Sequence, residues 1–118
     1  MIKFSTHSLL IFLNFINAAN AVSSVVIYYK NIKCPYQGCE HLDFYDNSGN
    51  LTYLVNLRPE NPTFAAGLIL KNPARAMFKG VDCTPASFAV TDNTELRADV
   101  SVDPSSGAAT CTVTTLTP

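Results

Sequence analysis

Histidine is scarce in this sequence: two in 118 residues, His7 and His41. If residues 1–21 are removed, as argued below, His41 stands alone as a general acid or base. Cations are few as well. Lys30, Lys33, Arg58, Lys71, Arg75, Lys79 and Arg97 are scattered singly after residue 21, against nine Asp/Glu, a net charge of about −2. Nucleic-acid binding rests on clustered cations that displace counterions, and the sequence holds no such cluster. There is no Gly-x-Ser-x-Gly elbow and no phosphate-cradling glycine loop. Long apolar runs are missing too. The longest, Leu9–Ile16, is about half of the roughly 20 residues that span a bilayer, so no membrane span is expected. Apolar spacing of three and four is not sustained over any ten residues, which argues against helices.

What is present begins with a leader. Lys3 supplies a positive charge, Leu9–Ile16 an apolar centre, and Ala19-Asn20-Ala21 small residues at the −3 and −1 positions of a cleavage site. Residues 1–21 therefore read as a signal peptide. Val22–Pro118, 97 residues, reads as a single secreted domain.

Cys34, Cys39, Cys83 and Cys111 all lie in that domain. An even count in a short exported chain implies two disulfides. Three pairings are possible. Chain entropy favours long loops: fifty to seventy residues constrain the unfolded chain by about 4 kcal/mol, a six-residue ring by about 2 kcal/mol. The expectation is therefore that Cys34 and Cys39 each reach one of Cys83 and Cys111. The alternative, Cys34–Cys39 with Cys83–Cys111, stays open because Pro35 and Gly38 turn the chain tightly. The run Cys34-Pro35-Tyr36-Gln37-Gly38-Cys39-Glu40-His41 also has the residue types of a zinc site. Disulfide formation in an oxidising compartment competes with it, so neither metal nor cofactor is expected.

Strand signals recur every ten or so residues, separated by Gly, Pro, Asn, Asp and Ser. Ser24–Lys30 is apolar on both faces and reads as a central strand. Leu42–Tyr45 and Leu51–Leu57 flank the turn Asp46-Asn47-Ser48-Gly49-Asn50. Phe64–Lys71 has a strand's length but carries Ala65-Ala66, and Ala74–Val81 is a weak strand. Ser87–Thr91 reads as a short strand. Leu96–Val102 alternates without exception and turns at Asp103–Gly107 into Thr110–Leu116. The fold class is all-β: a small, disulfide-stapled antiparallel sandwich or barrel of about six to eight short strands.

A ribonuclease-like site would combine His41 with Glu60 or Glu95 and with Arg58, Arg75 or Arg97, but no spacing selects such a set, and an enzyme is not expected. Asn50-Leu51-Thr52 is a glycosylation sequon at a hairpin tip, which makes Asn50 a candidate acceptor. Tyr28, Tyr29, Tyr36 and Tyr53 are the candidate partner-binding residues, since large amphipathic rings are enriched at hot spots. Tyr36, in a loop anchored by two cysteines, is their expected centre. The wet face of Leu96–Val102, with Arg97, Asp99 and Ser101, reads as ordinary solvated strand.

A leader ending Ala-Asn-Ala, about 100 mature residues, paired cysteines and a β fold together resemble the small secreted effectors of plant-associated fungi. The nearest fold group is the ToxB-like and MAX β-sandwich effectors. That resemblance implies a disulfide from an early strand to a later one, as Cys34 with Cys83 would make. It also implies a non-enzymatic virulence protein that binds a host protein, outside host cells or after uptake, and is recognised in some hosts as an avirulence factor. Pairing with itself or with another effector through an exposed strand edge belongs to the same expectation. The alternatives are a secreted antimicrobial toxin or protease inhibitor, and after them a small ribonuclease-like hydrolase.

Overall fold

The computed structural model describes residues 20–116. The expected leader lies outside them, except for Asn20 and Ala21, which open the first strand. Eight strands follow in order: β1 (Asn20–Lys30), β2 (His41–Tyr45), β3 (Leu51–Asn56), β4 (Thr63–Lys71), β5 (Arg75–Phe78), β6 (Val81–Asp82), β7 (Thr94–Val102) and β8 (Ala109–Thr115). They form two four-stranded sheets, ordered β4-β1-β7-β8 and β3-β2-β5-β6. The chain passes between the sheets four times, and the two inner faces enclose one core that includes Ile27, Leu42, Phe44, Leu68, Phe78, Leu96 and Val113. The fold is a β-sandwich.

The alternation of apolar and polar residues fixes which face each strand buries. On β1, Ala21, Ser23, Val25, Ile27 and Tyr29 point inward. On β7, Thr94, Leu96, Ala98 and Val100 do the same. β1 is central, as its two apolar faces imply, but its partnership with β7 is parallel, whereas every other strand pair is antiparallel. The ambiguity of Phe64–Lys71 has a structural cause. Two steps on β1, Ser23 to Val25, oppose three on β4, Leu68 to Ala65. The extra residue is a bulge, with Gly67 at φ +72°. It resets the phase, so Thr63, Leu68 and Leu70 are buried while Phe64 and Ile69 face out.

Ala74–Val81 divides into β5 and the two-residue β6 around Lys79-Gly80. Ser87–Thr91 is not a strand. Its apolar residues serve a crossover: Phe88 exchanges two backbone hydrogen bonds with Ala74 and packs edge-on against Phe44, at 6.5 Å between ring centroids.

The disulfides are Cys34–Cys39 and Cys83–Cys111, which overturns the long-range expectation. Chain entropy ranks the worth of a link, but the fold decides which thiols meet. Cys34 and Cys39 share the β1–β2 crossover. Cys83 follows β6 in one sheet and meets Cys111 on β8 in the other, with Cα atoms 4.5 Å apart. Thr84 extends the stitch: its N–H donates to Cys111 O at 3.0 Å, and Val113 N–H donates to Thr84 O at 2.8 Å. Two of the three hairpin turns, β2–β3 and β7–β8, are held by an aspartate. Asp46 Oδ1 accepts from the N–H of Ser48 (2.9 Å) and Asn50 (2.8 Å), and Asp103 Oδ1 accepts from Ser105 N–H (2.8 Å).

Two predictions follow from this geometry. The inter-sheet disulfide closes the longer loop, so Cys83→Ala/Cys111→Ala lowers the unfolding free energy by about 3–4 kcal/mol, against about 2 kcal/mol for Cys34→Ala/Cys39→Ala, read by urea denaturation. Non-reducing peptide mapping recovers those two pairs. The hydrogen bond from Asn50 N–H, aided by that of Ser48, holds the Asp46 carboxyl below its ordinary 3.8. A depressed folded pKa stabilises above the unfolded value, and that contribution is lost as pH falls through the folded one. Asp46→Ala therefore lowers Tm at pH 6, and the gap from wild type shrinks as pH falls below about 4.

Candidate protein-binding surface

Adjacent residues of a strand leave it on opposite sides, and β1 divides its two tyrosines accordingly. Tyr29 points into the core and is buried. Its hydroxyl donates to the carbonyls of Arg58 and Pro59, and the Asn61 side-chain amide brackets its backbone, accepting from Tyr29 N–H (3.2 Å) and donating to Tyr29 O (2.6 Å). Burial, with the charge of Glu60, pushes the phenol above its ordinary 10.0. Tyr29 thus ties β1 to the β3–β4 crossover, and it is corrected from candidate contact to core residue.

Tyr28 faces outward and is 38% exposed. Arg97 lies over its ring, 4.2 Å from guanidinium carbon to centroid, in cation–π geometry. Asp99 fixes Arg97 from the same strand face, accepting from Nε and Nη2 at 3.0 Å each. Those hydrogen bonds raise the already high pKa of Arg97. The wet face of β7 is therefore more than solvated strand: it supplies the cation that orders Tyr28. Lys30, Asp99, Ser101, Thr110 and Thr112 join Tyr28 around a 210 Å³ hollow.

Beside it lies an apolar groove of 370 Å³, lined among others by Val26, Phe64, Ala66 and Leu116. Phe64 is 70% exposed and Leu116 50%. The register shows how the two features join. Phe64 on β4 opposes Val26 on β1, and Val26 opposes Arg97 on β7. Phe64, Val26 and Arg97 form one row across three strands, and Tyr28 stands two residues along β1. The sequence does not single out Phe64, Val26 or Leu116, and it offers Arg97 only as a phosphate-holding candidate and as part of a solvated face. Phe64 offered a signal, since a large aromatic follows the proline-rich segment, but its outward face depends on the bulge.

The other expected residues stand apart. Tyr36 is 65% exposed in the loop closed by the Cys34–Cys39 disulfide, where Cys39 N–H donates to Tyr36 O (3.2 Å) and Gly38 N–H to Leu57 O (2.9 Å). Tyr53 lies on β3, an edge strand of the second sheet, opposite Phe44. Tyr28, Tyr36 and Tyr53 therefore occupy three separate elements. Asn50 is exposed at the hairpin tip, with its side-chain amide donating to Asp46 Oδ2 at 3.2 Å.

His41 is also exposed, on β2. Its Nδ1 lies 2.6 Å from Asp43 Oδ1, so its carboxylate partner is Asp43. Arg75 pairs with Asp82 on the second sheet, Arg97 pairs with Asp99 on the first, and Arg58 lies in the β3–β4 crossover, so the three cations weighed for a phosphate site stand on separate elements. The sulfurs of Cys34 and Cys39 that a zinc ion would need are bonded to each other.

The two faces of β1 differ in what a hydroxyl does. Tyr29→Phe leaves two carbonyls without their donor and lowers stability by about 1–2 kcal/mol, while Tyr28→Phe stays within about 0.5 kcal/mol of wild type, both read by urea denaturation.

Compared with known proteins, the chain matches no family model, no curated protein and no solved structure. Nothing in these comparisons links the chain to fungal effectors or to the ToxB-like and MAX fold group.

Proposed function

We propose that this chain is an exported, non-enzymatic binding protein that acts on a protein of a host organism, with the outer face of the β4-β1-β7-β8 sheet as its contact surface. The observation that carries this reading is the row Phe64–Val26–Arg97 beside Tyr28. Aromatic rings and arginine around an apolar hollow are the composition of binding hot spots. Here they sit on paired strands, so little order has to be gained on binding. The two disulfides suit an oxidising compartment, and among the described residues no helix is long and apolar enough to cross a membrane.

A substrate-like protease inhibitor is less well supported. Its natural centre would be Tyr36, yet the Tyr36 carbonyl already accepts the Cys39 N–H inside a tight turn.

The test uses the exported domain applied to, or expressed in, susceptible and resistant plant hosts. Phe64→Ser and Arg97→Ala, each confirmed folded by circular dichroism, reduce host-directed activity at least tenfold. Tyr36→Ala and His41→Ala remain within a few-fold of wild type. A hundredfold loss in folded His41→Ala would overturn the non-enzymatic reading, since acid–base groups contribute about 10² to 10⁴ in rate. Full activity in both surface variants would move the working face elsewhere.

A further inference from the structure

The structure gives Val22 partners that suit the beginning of a chain. Asn20 and Ala21 pair only with the end of β4, opposite Lys71 and Leu70. Pairing with β7 starts one residue after Val22, at Ser23 opposite Thr94. On that side Val22 meets the turn that leads into β7. Its backbone nitrogen donates to Asp92 Oδ1 at 2.9 Å, and its carbonyl accepts from Asn93 N–H at 2.8 Å. The turn is itself ordered. Thr91 N–H donates to the Thr94 hydroxyl at 2.9 Å, Thr94 N–H donates to Thr91 O at 3.1 Å, and Asn93 sits at φ +68°. A carboxylate on the nitrogen and an N–H on the carbonyl hold both polar groups of one residue, at the point where the central strand acquires its second neighbour.

We propose that hydrolysis of the Ala21–Val22 bond makes this nitrogen the N-terminal ammonium of the exported domain, and that Asp92 is its counter-ion. The step consumes one water: the carboxylate leaves on Ala21 and the ammonium remains on Val22. The inference rests on reading residues 1–21 as a signal peptide and goes beyond it, because it gives the cut a structural consequence. Cleavage removes two register pairs with β4 together with the buried Ala21 side chain at the end of the core, and spares the whole β1–β7 ladder. It also converts an amide hydrogen bond into a charge-assisted one, the stronger kind. Of the titratable side chains on the elements flanking Val22, Asp92 stands in the turn, Lys71 two residues beyond Ile69 (the β4 partner of Val22) and Glu95 opposite Ser24, with Arg97 and Asp99 further along β7.

The carboxylate raises the folded pKa of the ammonium above the ordinary range of about 7.7–8.0. The pair is then fully present below the unfolded pKa and is lost as pH rises through the folded one. The full-length precursor is expressed in a secretory host, and the exported product is characterised by intact mass and N-terminal sequencing. The expected first residue is Val22. Wild type then exceeds Asp92→Asn in Tm by about 2–5 °C at pH 6–7, and the gap narrows toward pH 10. A domain that retains Asn20-Ala21 keeps an amide at Val22 and shows a gap that does not change with pH. Independently of any variant, the pH dependence of acylation of the Val22 amine reports its pKa, expected above 8.

An export product of full precursor mass would overturn both the inference and the signal reading. A product beginning at Asn20 would overturn the inference alone. So would a product beginning at Val22 whose amine titrates in the ordinary range, or whose gap from Asp92→Asn is independent of pH.

Discussion

Strand β1 runs between an antiparallel neighbour, β4, and a parallel one, β7. Because successive side chains leave a strand on opposite sides, its residues decide together what the core contains and what solvent meets. Ala21, Val25, Ile27 and Tyr29 fill one side; Val22, Val26, Tyr28 and Lys30 form the other. A slip of one residue would exchange the two sets. Several features act against such a slip. The Asp92-Asn93 turn holds Val22, the Asn61 amide holds Tyr29, and the bulge at Ala66-Gly67 interrupts the β4 ladder at one place.

Two sheets of four strands form a small sandwich, and domains of this size gain from cross-links. The two disulfides differ in what they do. Cys83–Cys111 joins one sheet to the other, and Thr84 adds backbone pairing to β8 beside it, covering part of that edge. Cys34–Cys39 closes a short crossover and confines the loop that carries Tyr36. On β4, at the far edge of the same sheet, the bulge breaks the regular spacing that edge-to-edge pairing needs. The outer face beside that edge carries the apolar side chains of Val26 and Phe64.

That face brings together the chemistry of a binding surface from three strands distant in sequence. Arg97 is held by Asp99 and lies over Tyr28, and Val26 and Phe64 continue the row. The His41–Asp43 pair is a short-range contact on the other sheet. Its imidazole is exposed, and two of the three arginines weighed as its phosphate-holding partners, Arg75 and Arg97, are engaged with Asp82 and Asp99. The proposal of a binding protein rests on the apolar and aromatic groups that converge on the outer face of the first sheet.

Local order was legible because it is short-ranged. The unbroken alternation of Leu96–Val102, the polar turns at Asp46–Asn50 and Asp103–Gly107, and the doubly apolar Ser24–Lys30 each carry their signal within a few residues. They specified strands, hairpins and a central strand. The even number of cysteines specified two bridges. Tertiary structure decided what depends on register and on crossovers. It paired Cys34 with Cys39 and Cys83 with Cys111, made β1 and β7 parallel, turned Tyr29 inward, and placed a bulge that sends Phe64 out to meet Val26. A strand's period of two shows that its residues take two faces. Only its neighbours decide which face is buried, and those neighbours lie as far as 71 residues away, as Val26 and Arg97 do.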